Sequence, residues 1–152
     1  MILLNAWSRP LRNHQHNPKN YPYWQQVLAG IQLPVIQIAV QGDQQLVQDC
    51  RFNQSLQQLD QLLEECHTWL AVDSFFQHWA WHRRKQGIVL WGPSNPNIFG
   101  HEENINLTLG PTAWRENQFL TWEQLPYNKH VFVKPALVLA ALENLVPTST
   151  KF

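Results

Sequence analysis

Short apolar runs alternate with amphipathic stretches along this chain, and each change of period predicts a change of element. Ile2-Leu-Leu-Asn-Ala-Trp7 is a continuous apolar run, the mark of a buried strand. Ser8 to Asn20 is polar, holds Pro10 and Pro18, and reads as a loop. A helix follows over Tyr21–Gly30, with Pro22 in its first turn, Gly30 at its stop and Val27, Leu28 and Ile31 on its apolar side. Pro34–Val40 is β-branched and predicts a second strand, Gln41–Gln44 a turn, and Cys50–Gln54 a short strand or an irregular link. Ser55 is placed to cap a helix over Leu56–Cys66, whose apolar positions Leu56, Leu59, Leu62 and Leu63 recur at helical spacing. Thr68–Val72 is the next strand, Ser74–Lys85 a helix, and Gly87–Trp91 a further strand. The pattern weakens after Gly92, with a short strand near Ile105–Leu107 and another, or an extended link, at His130–Val133. Pro135 opens a last helix through Leu145 on the stripe Leu137, Val138, Ala141, Leu142 and Leu145.

Strands alternating with helices at this spacing predict βαβ units. Right-handed crossovers then place helices on both faces of a mainly parallel sheet. The fold class expected is α/β, a single Rossmann-like three-layer α/β/α sandwich of four to six strands. One domain is expected over residues 1–146, with 147–152 as a C-terminal tail. No internal repeat or low-complexity tract interrupts it.

Composition narrows the function classes. The 152 residues suffice for one domain with a real core, and 44% are apolar, so the chain is globular rather than disordered. Only 14% are charged and the formal net charge is zero, which gives no long-range attraction for nucleic acid or an anionic membrane. No apolar run approaches the roughly 18 residues of a membrane span, and the N-terminus lacks the basic start of a signal peptide. The two cysteines, Cys50 and Cys66, form no CxxC pair, so a reducing, cytoplasmic setting is expected, with a disulfide between them left open. Eight tryptophans are many for this length; packing accounts for most of them, and Trp114 and Trp122 in the irregular region would also suit an interface.

The candidate chemistry lies where strands hand over to helices, the carboxyl edge at which open α/β sheets bind ligands. The strand ending at Val72 runs into Asp73-Ser74, with His78 one turn into the next helix. Asp73 and Ser74 could serve as helix caps or as ligand contacts. His78 could be a packed histidine or a site residue. The helix start offers free N–H groups to a phosphate. The loop after the first strand offers Ser8, Arg9, Arg12 and Lys19, of which Lys19 could neutralise that phosphate, while Asp73 could accept hydrogen bonds from sugar or ribose hydroxyls. Gly92 and Ser94 end the following strand. His78 and His82 share a helix face at zinc-ligand spacing, but no metalloprotease Glu or third ligand accompanies them, so no metal is expected. GxGxxG, GxxxxGK[ST] and GxSxG are all absent. Asp73 and Asp43 are the acidic residues near the cleft; neither stands out as a catalytic base, and the catalytic residue is left unassigned.

Asp73-Ser74-x-x-x-His78-x-Ala80 followed by Gly87-Ile-Val-Leu-Trp-Gly-Pro-Ser94-x-Pro96 resembles the C-terminal domain of glycosyltransferase family 9, the ADP-heptose:lipopolysaccharide heptosyltransferases. Lys19 ahead of Tyr21-Pro-Tyr-Trp24 is similar to that family's Lys-x-Trp-Pro segment. The resemblance implies the donor-binding half of a GT-B enzyme, two Rossmann-like halves with a cleft between them. It further implies that Lys19 meets the phosphates and that Asp73, Ser74 and His78 line the donor site, with Gly92 and Ser94 nearby. Phe75 departs from the family's Gly and would crowd the diphosphate. The chain is also too short for both halves, so the acceptor half is expected to be missing and supplied by a homodimer or a second polypeptide. The expected function is a single-domain glycosyltransferase-like protein that binds a nucleotide-sugar or related nucleotide as substrate or ligand, without another cofactor. The alternative is a non-catalytic module that sequesters a nucleotide or mediates protein interaction.

Overall fold

Six strands form one sheet in which every pairing is parallel: β1 (Ile2–Asn5), β2 (Val35–Ala39), β3 (Cys50–Phe52), β4 (Thr68–Val72), β5 (Ile88–Leu90) and β6 (Ile105–Leu107). They lie in the order β3-β2-β1-β4-β5-β6. This is the Rossmann order, in which the chain runs outward to one side from β1 and then outward to the other from β4. The computed structural model describes residues 1–146; the expected tail at 147–152 lies outside the described residues.

The helices are α1 (Trp24–Gly30), α2 (Leu56–Glu65), α3 (Phe75–His82), α4 (Pro96–Phe99) and α5 (Pro135–Leu145). Alternation along the strands divides the core into two layers. Leu4, Leu70, Val72, Ile88 and Leu90 face α1 and α5, where they meet Trp24, Val27, Val138 and Leu142. Leu3, Ile38, Trp69, Ala71 and Val89 face α2 and α3, where they meet Leu59, Leu62, Leu63, Phe76 and Ala80. All five residues of β4 are buried, as a central parallel strand requires.

Helix α2 begins as its sequence dictates. Ser55 accepts the N–H of Gln58 while Gln58 accepts the N–H of Ser55, a complete capping box. Helix α1 starts later than the periodicity predicts, at Trp24, so Pro22 precedes the helix instead of opening it. Tyr21 is drawn inward to the core, where its hydroxyl donates to the Val133 carbonyl at 2.9 Å. The stretch His130–Val133 is not a strand. It is a single 3-10 turn over Lys129–Val131, after which Phe132 and Val133 pack into the α1–α5 layer. The connection from β2 to β3 carries no helix, and fully buried Gln37 holds it down: its amide donates to the Gln44 carbonyl and accepts the N–H of Leu46. Both cysteines are free thiols. Among the described residues no helix is long and apolar enough to cross a membrane.

Candidate functional site

Strands β1 and β4 are neighbours whose connections leave in opposite directions, so their carboxyl ends open a crevice at the topological switch point. An open cavity of about 660 Å³ lies there. Its floor is the end of β1 with Asn5, Trp7 and Ser8, and the start of α3 with Asp73, Ser74, Phe75 and Phe76. Loop residues Arg9, Arg12, Asn17 and Lys19 form one wall, and Val40, Asp43, Asn53 and Gln54 beyond β2 and β3 another. Thr121, Trp122 and Glu123 approach from the C-terminal half.

The polar residues of the crevice are tied to one another. Ser8 donates its hydroxyl to the Asp73 carbonyl at 2.6 Å and its N–H to the Asn20 side chain at 2.8 Å. Ser74 donates to the Asn5 side chain at 2.7 Å. The two hydroxyl bonds, Ser8 to Asp73 and Ser74 to Asn5, cross-link the ends of β1 and β4. The Asp73 carboxylate accepts from Gln77 at 2.8 Å and pairs with the Lys19 ammonium at 3.5 Å, with both side chains largely buried. Lys19 also lies over the Trp122 ring, 5.4 Å from its centroid, and Arg115 covers the same ring at 3.7 Å. Gln118, between Arg115 and Trp122 in sequence, anchors this segment by donating to the Pro93 carbonyl and accepting the N–H of Asn95.

Ser74 occupies the N-cap of α3 but does not cap it, because its hydroxyl points to Asn5. The first-turn N–H groups of α3 therefore face the crevice without a side-chain cap, unlike those of α2. Three cationic side chains, Arg9, Arg12 and Lys19, share the lining with three carboxylates, Asp43, Asp73 and Glu123. Burial pushes the Asp43 carboxyl above its ordinary range, partly offset by the Val40 N–H it accepts. The Arg12 N–H and the nearby guanidinium charges draw the Glu123 carboxyl down.

The structure brings six of the eight sequence-derived candidates to this cavity: Ser8, Arg9, Lys19, Asp73, Ser74 and His78. Ser8 and Ser74 act there as struts between strands. His78 pairs with neither the crevice polar groups nor His82; its Nδ1 lies 2.8 Å from Nε2 of His101. Burial and the neighbouring His78 push the His101 imidazole below its ordinary value. Gly92 and Ser94 lie outside the lining. A Cβ on Gly92 would sit 2.3 Å from the Phe132 ring, so this glycine serves packing. Ser94 is fully buried and its hydroxyl has no partner among the described residues. Phe75, where the sequence resemblance expects Gly, stands at the first position of α3, 61% exposed and stacked on Trp79, and it lines the cavity at the helix start. Sequence reasoning missed Trp122 and Glu123 as lining residues, since their place there depends on the tertiary anchoring of Arg115 and Gln118 to Pro93 and Asn95.

No protein-family model matches the chain, and no curated protein sequence matches it. Its fold does match solved structures. The E. coli ADP-heptose LPS heptosyltransferase II superposes with a TM-score of 0.64 at 17% identity, over 95% of this chain and 45% of that one. The dodecameric iron-containing heptosyltransferase TibC, solved in complex with ADP-D-beta-D-heptose, gives 0.64 at 15% identity, over 95% and 44%. The likeness is one of fold. The chain spans less than half the length of the structures it matches. The chain thus shares its α/β fold with part of each of these two heptosyltransferases. Among the described residues, no group of three His, Cys, Asp or Glu side chains is placed to hold a metal.

Proposed function

We propose that the switch-point cavity binds a nucleotide-sugar or related nucleotide, and that the chain is a glycosyltransferase-like, heptosyltransferase-like half-domain. The observation that carries this reading is the uncapped start of α3 opening onto a crevice lined by Arg9, Arg12 and Lys19. Free helix N–H groups and cations together suit a diphosphate. An ammonium has three donors and the Asp73 pair uses one, so Lys19 keeps donors for a phosphate oxygen. Asn5, Asn53 and Gln54 offer amides for sugar hydroxyls. In a transfer reaction the cations would stabilise the departing nucleoside diphosphate. A facing wall to exclude water and align an acceptor would come from a second copy, a second polypeptide or another domain.

One observation favours the non-catalytic reading. Each carboxylate lining the cavity is engaged: Asp43 with the Val40 N–H, Asp73 with Lys19 and Gln77, and Glu123 with the Arg12 N–H. None stands free as a base. A single series separates the readings. Thermal unfolding is followed with ADP, UDP, GDP and CMP derivatives, then the stabilising compound is assayed for sugar release or transfer. Binding stabilises by about 2.7 kcal/mol at a hundredfold excess over Kd. Stabilisation that weakens in Arg9→Ala and Lys19→Ala supports the site. No shift with any nucleotide leaves an interaction module. Stabilisation without turnover supports sequestration.

A further inference from the structure

His78 and His101 come from elements far apart in the chain, and the fold sets their ring nitrogens 2.8 Å apart, His78 Nδ1 against His101 Nε2. Both sit on fixed backbone. His78 is in the middle of α3. His101 follows Gly100, where a side chain could not fit, since a Cβ would meet the Pro96 carbonyl oxygen at 2.7 Å. The His101 carbonyl then accepts the Asn104 N–H at 3.1 Å and the Asn106 amide at 2.9 Å. The Trp81 indole lies flat against the His101 ring, with centroids 4.2 Å apart and planes inclined by 6°. The same indole donates its N–H to the Glu103 carboxylate at 3.1 Å. Two imidazoles with converging nitrogens therefore share their surroundings with one carboxylate and one π face, both of which favour a cation. Among the described residues, neither His78 Nε2 nor His101 Nδ1 makes a hydrogen bond, so the rings are held by packing and by the hydrogen bond between His78 Nδ1 and His101 Nε2, which a metal would replace.

We propose that His78 Nδ1 and His101 Nε2 bind one divalent transition-metal ion of the imidazole-seeking class, Cu(II), Zn(II) or Ni(II), at the rim of the switch-point cavity. With nitrogen bonds of about 2.0–2.1 Å, two ligand nitrogens lie about 2.9 Å apart at cis positions of the tetragonal geometry that Cu(II) and Ni(II) prefer, and about 3.3 Å apart in tetrahedral Zn(II). The 2.8 Å gap nearly fits the first and opens by about half an ångström for the second, a movement that exposed His78 makes by a small ring rotation. Two protein nitrogens leave the remaining positions to water, so the site is open and its affinity modest. Imidazole ligands select Cu(II) over Zn(II) and Ni(II), and all three over Mg(II) and Ca(II), which prefer oxygen. This inference does not depend on nucleotide binding, because it is read with metal alone.

The test is titration of the purified chain with each metal salt by calorimetry, with Cu(II) electron paramagnetic resonance and tryptophan fluorescence alongside. One equivalent should bind with a two-nitrogen coupling pattern, in the order Cu(II) above Zn(II) and Ni(II), with Mg(II) silent. His78→Gln and His101→Gln should each weaken this site at least tenfold while circular dichroism stays unchanged. His82→Gln should leave it intact. Cu(II) should quench fluorescence through Trp81, and Trp81→Phe should lose much of that quenching while still binding. The proposal is overturned by affinity that survives both single variants. Loss of the site in His82→Gln, which would place the metal on the His78/His82 helix pair instead, overturns it equally. So does a Cu(II) signal without paired nitrogen coupling.

Discussion

Lys19 and Asp73 belonged, in the sequence, to separate guesses about phosphate and sugar. In the fold they form one ion pair at 3.5 Å with side chains 17% and 9% exposed. Removing one member of a mostly buried pair strands the other, which costs more than the pair contributes. Gln77 still supports the Asp73 carboxylate, so Lys19→Met should lose about 1–3 kcal/mol in urea unfolding, and Asp73→Asn a similar amount. The double variant should lose less than the sum by at least about 0.5 kcal/mol. Strict additivity would mean that the two groups do not interact. His16 carries a pH dependence outside the rim. Its ring packs edge-on against Tyr127 at 4.5 Å and Trp7 at 6.2 Å, and burial lowers its pKa below the ordinary 6.5. Between the folded and unfolded values the unfolded chain binds more protons, so stability falls as pH drops below about 6.5 and levels off below the lowered value. Solvent at the ring edge keeps the effect small. His16→Gln should flatten this part of a stability–pH curve; an unchanged slope would assign it to other groups.

Glycines show how elements meet. Gly92 was legible as a strand end, and the resemblance placed it near a ligand, yet its lack of a side chain is needed under Phe132. Gly92→Ala should cost about 1–3 kcal/mol by overpacking. Adding Phe132→Leu should recover part of that loss, and no recovery would mean that the added methyl does not meet the Phe132 ring. Gly87→Ala, pressed on the Trp69 indole at 2.1 Å, should cost at least as much. Element by element, helices with their own signals were legible: α5 runs over Pro135–Leu145 as its stripe and opening proline dictate, and α2 from Ser55 as its cap dictates. Elements without local signals were not. Phe132 and Val133 have the residue types of a strand but satisfy their burial against Tyr21 and Gly92 instead of a sheet edge. Helix α4, a single turn started by the Asn95 cap, is too short to show a period.

The whole molecule is one sheet with an apolar layer on each face, and neighbouring residues of β1 serve opposite layers: Leu4 faces α1 and α5, Leu3 faces α2 and α3. Leu3→Ala and Leu4→Ala should each cost about 2–5 kcal/mol. Because the layers share the central strands β1, β4 and β5, both variants should unfold in a single transition with tryptophan fluorescence and far-UV circular dichroism coincident. Two separated transitions would show that a layer can melt alone. By itself the sequence determined the alternation of strands and helices, the parallel α/β class and the junctions that follow strands at Ser8 and at Asp73-Ser74, because hydrophobic period and capping residues act within a few positions of themselves. Tertiary structure alone decided the strand order that makes those two junctions neighbours. It also decided the pairing of Lys19 with Asp73, the approach of His78 to His101, and the exclusion of Gly92 from the crevice. Each of these depends on which segments pack side by side across the sheet. That choice is set by the burial of whole faces, a quantity no short window of sequence contains.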